Sequence, residues 1–249
     1  ESFMADYKFP TEVVDLPSKG YFYVDGHPLS KGKVEVKYMT AKEEDILTSQ
    51  NLIQQGTVID VLLQSLIVDK TINVQDLLIG DKNAIMLAAR ILGYGKEYDF
   101  EYDGVEQQID LSKLEPVNID LSKCTKGQNQ FSYDLPNSKR KITFKLLTGH
   151  DENRISAEIK AMQKISKDRS SELTTRFKTM ISSVDGNSEQ SYINNFVDNE
   201  FLSRDSLVFR RHLTEITPDM DMTTTIVDSN GKETEVAIPV TVRFFWPTT

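Results

Sequence analysis

The chain has a single cysteine, Cys124, among its 249 residues. That excludes an internal disulfide and any zinc cage built from cysteine thiolates, and it fits a reducing cytoplasm. Long apolar runs are missing too. Nothing approaches the ~18 consecutive apolar residues of a membrane helix, so a membrane is not an expected partner. No Lys-rich start followed by an apolar segment opens the chain, so no secretory leader is expected. Glu1-Ser2-Phe3 precede Met4, which has the look of a native start; those three residues read as a cloning remnant. A surplus of positive charge is also lacking: 29 Lys+Arg stand against 38 Asp+Glu, a net charge of -9. A nucleic-acid binder needs a basic footprint, so nucleic acid is not an expected partner either.

What remains is ordinary globular composition, 39% hydrophobic and 27% charged, enough for a real core. The length predicts one large domain or two small ones. The charge is uneven. Residues 1–124 hold 12 Lys/Arg and 21 Asp/Glu, whereas residues 125–249 hold 17 of each. The acidic half reads either as a solvated face or as a surface that steers or repels a partner, with steering that weakens as salt rises.

Several landmarks recur in the same order. Asp15-Leu16-Pro17-Ser18 returns as Asp134-Leu135-Pro136-Asn137, and the alternating run Val34–Thr40 returns as Ile142–Thr148. Each run meets an acidic cluster, Glu43-Glu44-Asp45 or Asp151-Glu152-Asn153. Leu66–Asp69 is echoed by Ile181–Asp185, Asp81 by Asp205, and Asp103-Gly104 by Asn230-Gly231. The expected architecture is α+β, as two diverged copies of a strand–helices–β-hairpin unit. The first, acidic, repeat spans 5–115, a connector 116–130, and the second repeat 131–249.

Local physics supports the same elements. Thr40-x-x-Glu43 is a capping box, and Thr148 with Asp151 is a shorter version of it. Ile155, Ile159, Met162 and Ile165 form one apolar helical face, as do Leu62, Leu63, Leu66 and Ile67, and Ile85, Met86, Ala89 and Leu92. Gly93 and Gly95 terminate a helix over 83–92. Tyr98-x-Phe100-x-Tyr102 alternates before Asp103-Gly104, a favoured hairpin turn, and Thr223, Thr225 and Val227 alternate before Asn230-Gly231, with 236–242 returning as the partner strand. Pro239 marks an edge position.

No constellation for chemistry emerges. His27, beside Gly26 and Pro28, reads as a turn residue; His150 lies in a helix first turn and His212 near a helix end. None has a nucleophile elbow or a paired-histidine helix motif near it. Asp99-x-Glu101-x-Asp103-Gly104-x5-Asp110 approaches a calcium loop. Glu at its third position and Asp at its last are wrong for that loop, and the alternating aromatics favour a hairpin. No phosphate-binding glycine motif occurs. No catalytic residue, metal site or cofactor is expected, and the chain is read as a non-enzyme. The end of the chain, Arg243-Phe244-Phe245-Trp246-Pro247, is different. A strand exposes alternate faces, so three consecutive aromatics are hard to bury in one small domain. Phe244, Phe245 and Trp246 are therefore candidate partner-binding residues, the alternative being a last strand sandwiched between sheet and helices.

Several strings carry a family resemblance. They are Lys8–Val13, Asp15–Gly20, Lys37–Asp45, Gly80–Ile85, Arg204-Asp205-Ser206, Ile216–Met222 and Phe244–Pro247. The chain resembles, over nearly its whole length from about residue 7, the baseplate hub proteins of T4-like contractile-tailed bacteriophages. The first strand and capped helix are more distantly similar to tail assembly chaperones. The resemblance implies a late viral protein of a myovirus, made in the host bacterial cytoplasm, that acts on virion assembly at the tail baseplate and has other hub proteins as partners. The family name spans hub subunits and hub assembly catalysts, where catalyst means a promoter of assembly. A chaperone-like hub assembly factor is expected first, a permanent hub subunit second, and a hub-associated hydrolase last. A homodimer is an open expectation.

Overall fold

The computed structural model describes residues 10–167 and 171–245. β1 (Thr11–Asp15) and β2 (Lys33–Lys37) form an antiparallel pair with Val14 opposite Val34. Val34 and Val36 point inward and are buried, while Lys33 and Glu35 point out. That is the period of two expected of a half-buried strand. Three short helices follow: α1 (Ala41–Leu47), α2 (Gln50–Gln55) and α3 (Val58–Leu66). Leu62, Leu63 and Leu66 of α3 are fully buried. Ile67 falls just past the helix and bridges to Val36, which extends the small sheet. α4 (Ile79–Tyr94) is longer than the expected 83–92 at both ends. The hairpin β3 (Glu97–Tyr102) and β4 (Val105–Asp110) closes this half. Its turn puts Asp103 and Gly104 at φ 52° and 75°. Both values lie in the left-handed region that such two-residue turns require.

The second half begins with a three-stranded antiparallel sheet, in the order β5 (Phe131–Asp134), β6 (Lys141–Phe144), β7 (Ile181–Val184). α5 (Gly149–Ile165) and α6 (Glu172–Met180) connect β6 to β7, and α7 (Gln190–Asn199) and α8 (Ser203–Ile216) follow. The hairpin β8 (Thr223–Val227) and β9 (Glu233–Ala237) comes last among the strands. The fold is α+β, with helices packed on small antiparallel sheets.

The described residues form two apolar clusters. One gathers β2, α3, α4 and Leu111; the other gathers Phe144, Phe177, Phe196 and Phe209. Phe131 packs against both. The expected 131–249 unit is divided between them. Ile238, Phe244 and Phe245 belong to the first cluster, and Met220, Met222, Val240 and Val242 pack against it. The tip of the β8–β9 hairpin leans on the β3–β4 hairpin, where Gln107 donates to the Val227 carbonyl (2.9 Å) and Ser229 to Asp103 (2.8 Å). The connector is pinned as well. Val117 N donates to the Asp219 carbonyl and Asp221 N to the Glu115 carbonyl, both at 2.8 Å.

Candidate interaction surfaces

Phe244 and Phe245 are fully buried, not displayed. They lie in a 3₁₀ turn, Val242–Phe245, and not in a strand: β9 stops at Ala237, before Pro239. A helical turn rotates successive side chains by about a third of a circle, so two neighbouring aromatics can reach the same core. The Phe244 ring meets Tyr98 (centroids 5.3 Å apart) and stands edge-on to Phe245 (5.5 Å). The partner-binding expectation for these two residues is thus replaced by a core role within the chain. Trp246 lies outside the described residues.

The calcium-like spacing resolves into the β3–β4 hairpin. Asp110 accepts from Ser112 N at 2.9 Å, and Asp99 accepts from Gln108 at 3.0 Å. His212 stacks on Tyr133 with centroids 4.6 Å apart, and burial lowers its pKa, which favours the neutral ring. Cys124 is half-buried; burial and nearby Asp120 push its thiol up, away from reactive thiolate.

The capping boxes are built from more than the motif. Glu43 is fully buried and accepts from Thr40 N (2.7 Å), Thr40 Oγ1 (2.6 Å) and Ser65 Oγ (3.1 Å), while Lys37 pairs with it at 2.7 Å. Burial works against its charge, but these donors outweigh it and hold its pKa down at about 2. In the second half Asp151 accepts from Thr148 N (3.0 Å) and Thr148 Oγ1 (3.1 Å) and pairs with Lys145 at 2.7 Å.

Two aspartates hold the strand-to-helix geometry from afar. Asp81, in the first turn of α4, accepts from Ser18 N (3.0 Å), Ser18 Oγ (2.6 Å) and Tyr23 Oη (2.6 Å). Burial raises its pKa. Asp205, in the first turn of α8, accepts from Asn137 N (2.8 Å), Asn137 Nδ2 (2.9 Å) and Ser138 N (3.0 Å). There burial opposes ionisation, but the Asn137 and Ser138 donors outweigh it and lower the pKa. A first-turn carboxylate also suits the helix dipole.

A third aspartate joins the halves. Asp76 lies in the 3₁₀ turn Val74–Asp76, with Nε2 of His27 at 3.2 Å from one oxygen and Nε2 of His150 at 2.7 Å from the other. Nδ1 of His27 accepts from Leu29 N (3.1 Å), so Nε2 of that ring carries the proton toward Asp76. Around this bridge Ile79 N donates to the Leu147 carbonyl (3.3 Å) and Gly149 N to the Leu77 carbonyl (3.1 Å). No spacing signal in the sequence could bring positions 27, 76 and 150 together.

The most exposed large apolar side chain among the described residues, Ile165, lies at the end of α5. The stripe of that helix runs from buried Ile155 through Ile159 to Met162, 49% exposed, and Ile165, 88% exposed. Leu173, 44% exposed, stands nearby at the start of α6 and borders a 240 Å³ depression with Phe177 and Phe201.

The family model described as T4 bacteriophage base plate protein matches residues 11–246. The chain belongs to that family. The match spans both halves and both cores, so it covers nearly everything described above. A base plate role therefore attaches to the whole fold. No curated protein and no solved structure matches the chain.

Proposed function

We propose that this base plate protein is a non-enzymatic assembly factor of the baseplate hub, one that binds hub components while the baseplate forms. The family match over residues 11–246 carries the baseplate part of this reading. The surface favours transient binding over permanent incorporation. A permanent subunit is expected to bury an apolar interface of about 2,000 Å² or more. Among the described residues, large exposed apolar side chains are scattered, apart from the group formed by Met162, Ile165 and Leu173. In this reading that group is the contact made with a hub component and later released. Partners in this reading are other baseplate proteins, met in the host cytoplasm.

We also read the chain as two diverged copies of one unit. Supporting this, each half pairs two strands, caps the next helix with a threonine and a carboxylate, and holds its Leu-Pro turn with a first-turn aspartate. Lys19 and Lys139, two and three residues past the prolines of those turns, both take positive φ, 55° and 62°.

The test is complementation. A phage lacking this chain should make few complete tails, and the native protein supplied in trans should restore them. Ile165→Glu should melt like the native protein, because the side chain is exposed, yet restore tails poorly. Normal tail yield without the chain would overturn the reading.

A further inference from the structure

Residues 1–124 carry the chain's whole negative surplus, yet one cleft in that half collects lysines. The cleft has a volume of about 660 Å³ and lies on the outer face of the β1–β2 sheet. That is within the roughly 300–1,000 Å³ of known ligand sites. Lys37 reaches it from β2, Lys42 from α1, and Lys70 from the loop after α3. Val68, 41% exposed, supplies an apolar wall, with buried Ile67 behind it. Val13, 60% exposed, continues the apolar strip on the same sheet face, opposite Glu35.

The three cations are held differently. Lys37 is ion-paired with buried Glu43. Lys70 is fixed by its ammonium donating to the carbonyls of Gln64 (2.9 Å) and Ser65 (3.1 Å). Partial burial, and then the like charges of Lys37 and Lys42, lower the Lys70 pKa. Among the described residues, no carboxylate lies within ion-pair distance of Lys42 or Lys70. Among the described residues lining the cleft the one carboxylate, Glu35, already accepts from Thr11 Oγ1 at 2.6 Å. The cleft thus gathers like charges that an incoming anion would relieve.

We propose that this cleft docks an acidic peptide segment of another baseplate protein, seating a side-chain carboxylate between Lys42 and Lys70 and aliphatic neighbours on Val68 and Val13. The inference rests on the reading of the chain as a binder of baseplate proteins. The combination of lysine rim and aliphatic wall selects the occupant. A free phosphate would use the charge and leave the apolar wall wet, whereas an extended segment alternating acidic and aliphatic residues uses both. Lysine suits a flexible carboxylate because its ammonium is a compact point charge that needs no planar partner.

The test is fluorescence anisotropy with a fluorescein-labelled peptide, Val-Glu-Leu-Asp-Val-Glu, and its Gln/Asn counterpart. The native chain should bind the acidic peptide, more weakly as salt rises, and should not bind the neutral one. Lys42→Glu, on an exposed side chain, should weaken binding about tenfold, and Lys70→Gln by a similar factor, with melting followed for both. Equal binding by native protein and Lys42→Glu overturns the proposal, as does equal binding of the two peptides. Complete displacement of the peptide by low-millimolar inorganic phosphate makes the cleft a general anion site and also overturns it. Complementation separates this from the broader reading. If Lys42→Glu loses the peptide but restores tails in a phage that needs the chain, the cleft has no role in assembly, while the baseplate reading stands.

Discussion

Glu43 shows how much a single side chain in this molecule can hold. It closes a helix N-terminus, ties Ser65 of α3 to α1, and neutralises Lys37 on β2. Replacing it with Gln removes the charge that all of these donors address. Glu43→Gln should cost about 2 kcal/mol, read as a lower midpoint in urea unfolding. The pH dependence follows from its direction. The folded pKa is lowered from 4.5 to about 2, so the unfolded chain binds the proton more tightly. The stabilisation is complete above about pH 4.5 and is lost as pH falls toward about 2; the variant should lack that part of the acid sensitivity. Thr40 and Glu43 were legible in the sequence because a capping box is local. Ser65 and Lys37 were not, because nothing in spacing reveals a partner 22 residues away or one on a neighbouring strand. Phe244 and Phe245 failed for a related reason: their pattern was judged against strand geometry, and a 3₁₀ turn changes which faces neighbours share.

At the scale of elements, period and turn chemistry carried far. The hairpin at Asp103-Gly104, the α3 stripe and the start of α5 stand where the residues place them, whereas the hairpin at Asn230-Gly231 returns as Glu233–Ala237 and not as 236–242, so Pro239 lies past the strand. The ends were harder. α4 begins at Ile79 because Gly80 lets the helix approach the 217–219 segment, a contact invisible from α4 alone. A Cβ at Gly80 would overlap the backbone carbonyl of Pro218. Gly80→Ala should therefore cost about 2 kcal/mol, although alanine is the better helix former. A melting temperature equal to that of the native chain would show that the 217–219 segment yields freely. The outer half of α5 teaches the opposite lesson. Its stripe of Ile155, Ile159, Met162 and Ile165 reads as core from the sequence, yet only the first is deeply buried. Periodicity reports that a helix has an apolar face, not what covers it.

For the whole molecule, the halves are joined by contacts that neither half's pattern announces. Asp76 takes one histidine from each half, and the C-terminal turn crosses into the first core. Burial would raise the Asp76 pKa, but the bonds to His150 and His27 outweigh it and lower it. The stabilisation is present above the usual carboxylate range and drains away as pH falls through the lowered value. Asp76→Asn should cost about 1 kcal/mol near neutral pH and speed amide exchange at Ile79 and Gly149, whose N–H groups bridge the halves. Unchanged exchange at both amides would mean that the backbone bonds alone hold the junction. The α+β class and the family strings were readable because they depend on local pattern. The docking of one half on the other depends on long-range geometry and was not.

The most direct test of the central claim is quantitative mass spectrometry of purified phage particles beside lysate from infected cells. An assembly factor that leaves predicts abundance in the lysate and absence from the particles. A fixed copy number per particle would contradict it and make this base plate protein a permanent part of the hub.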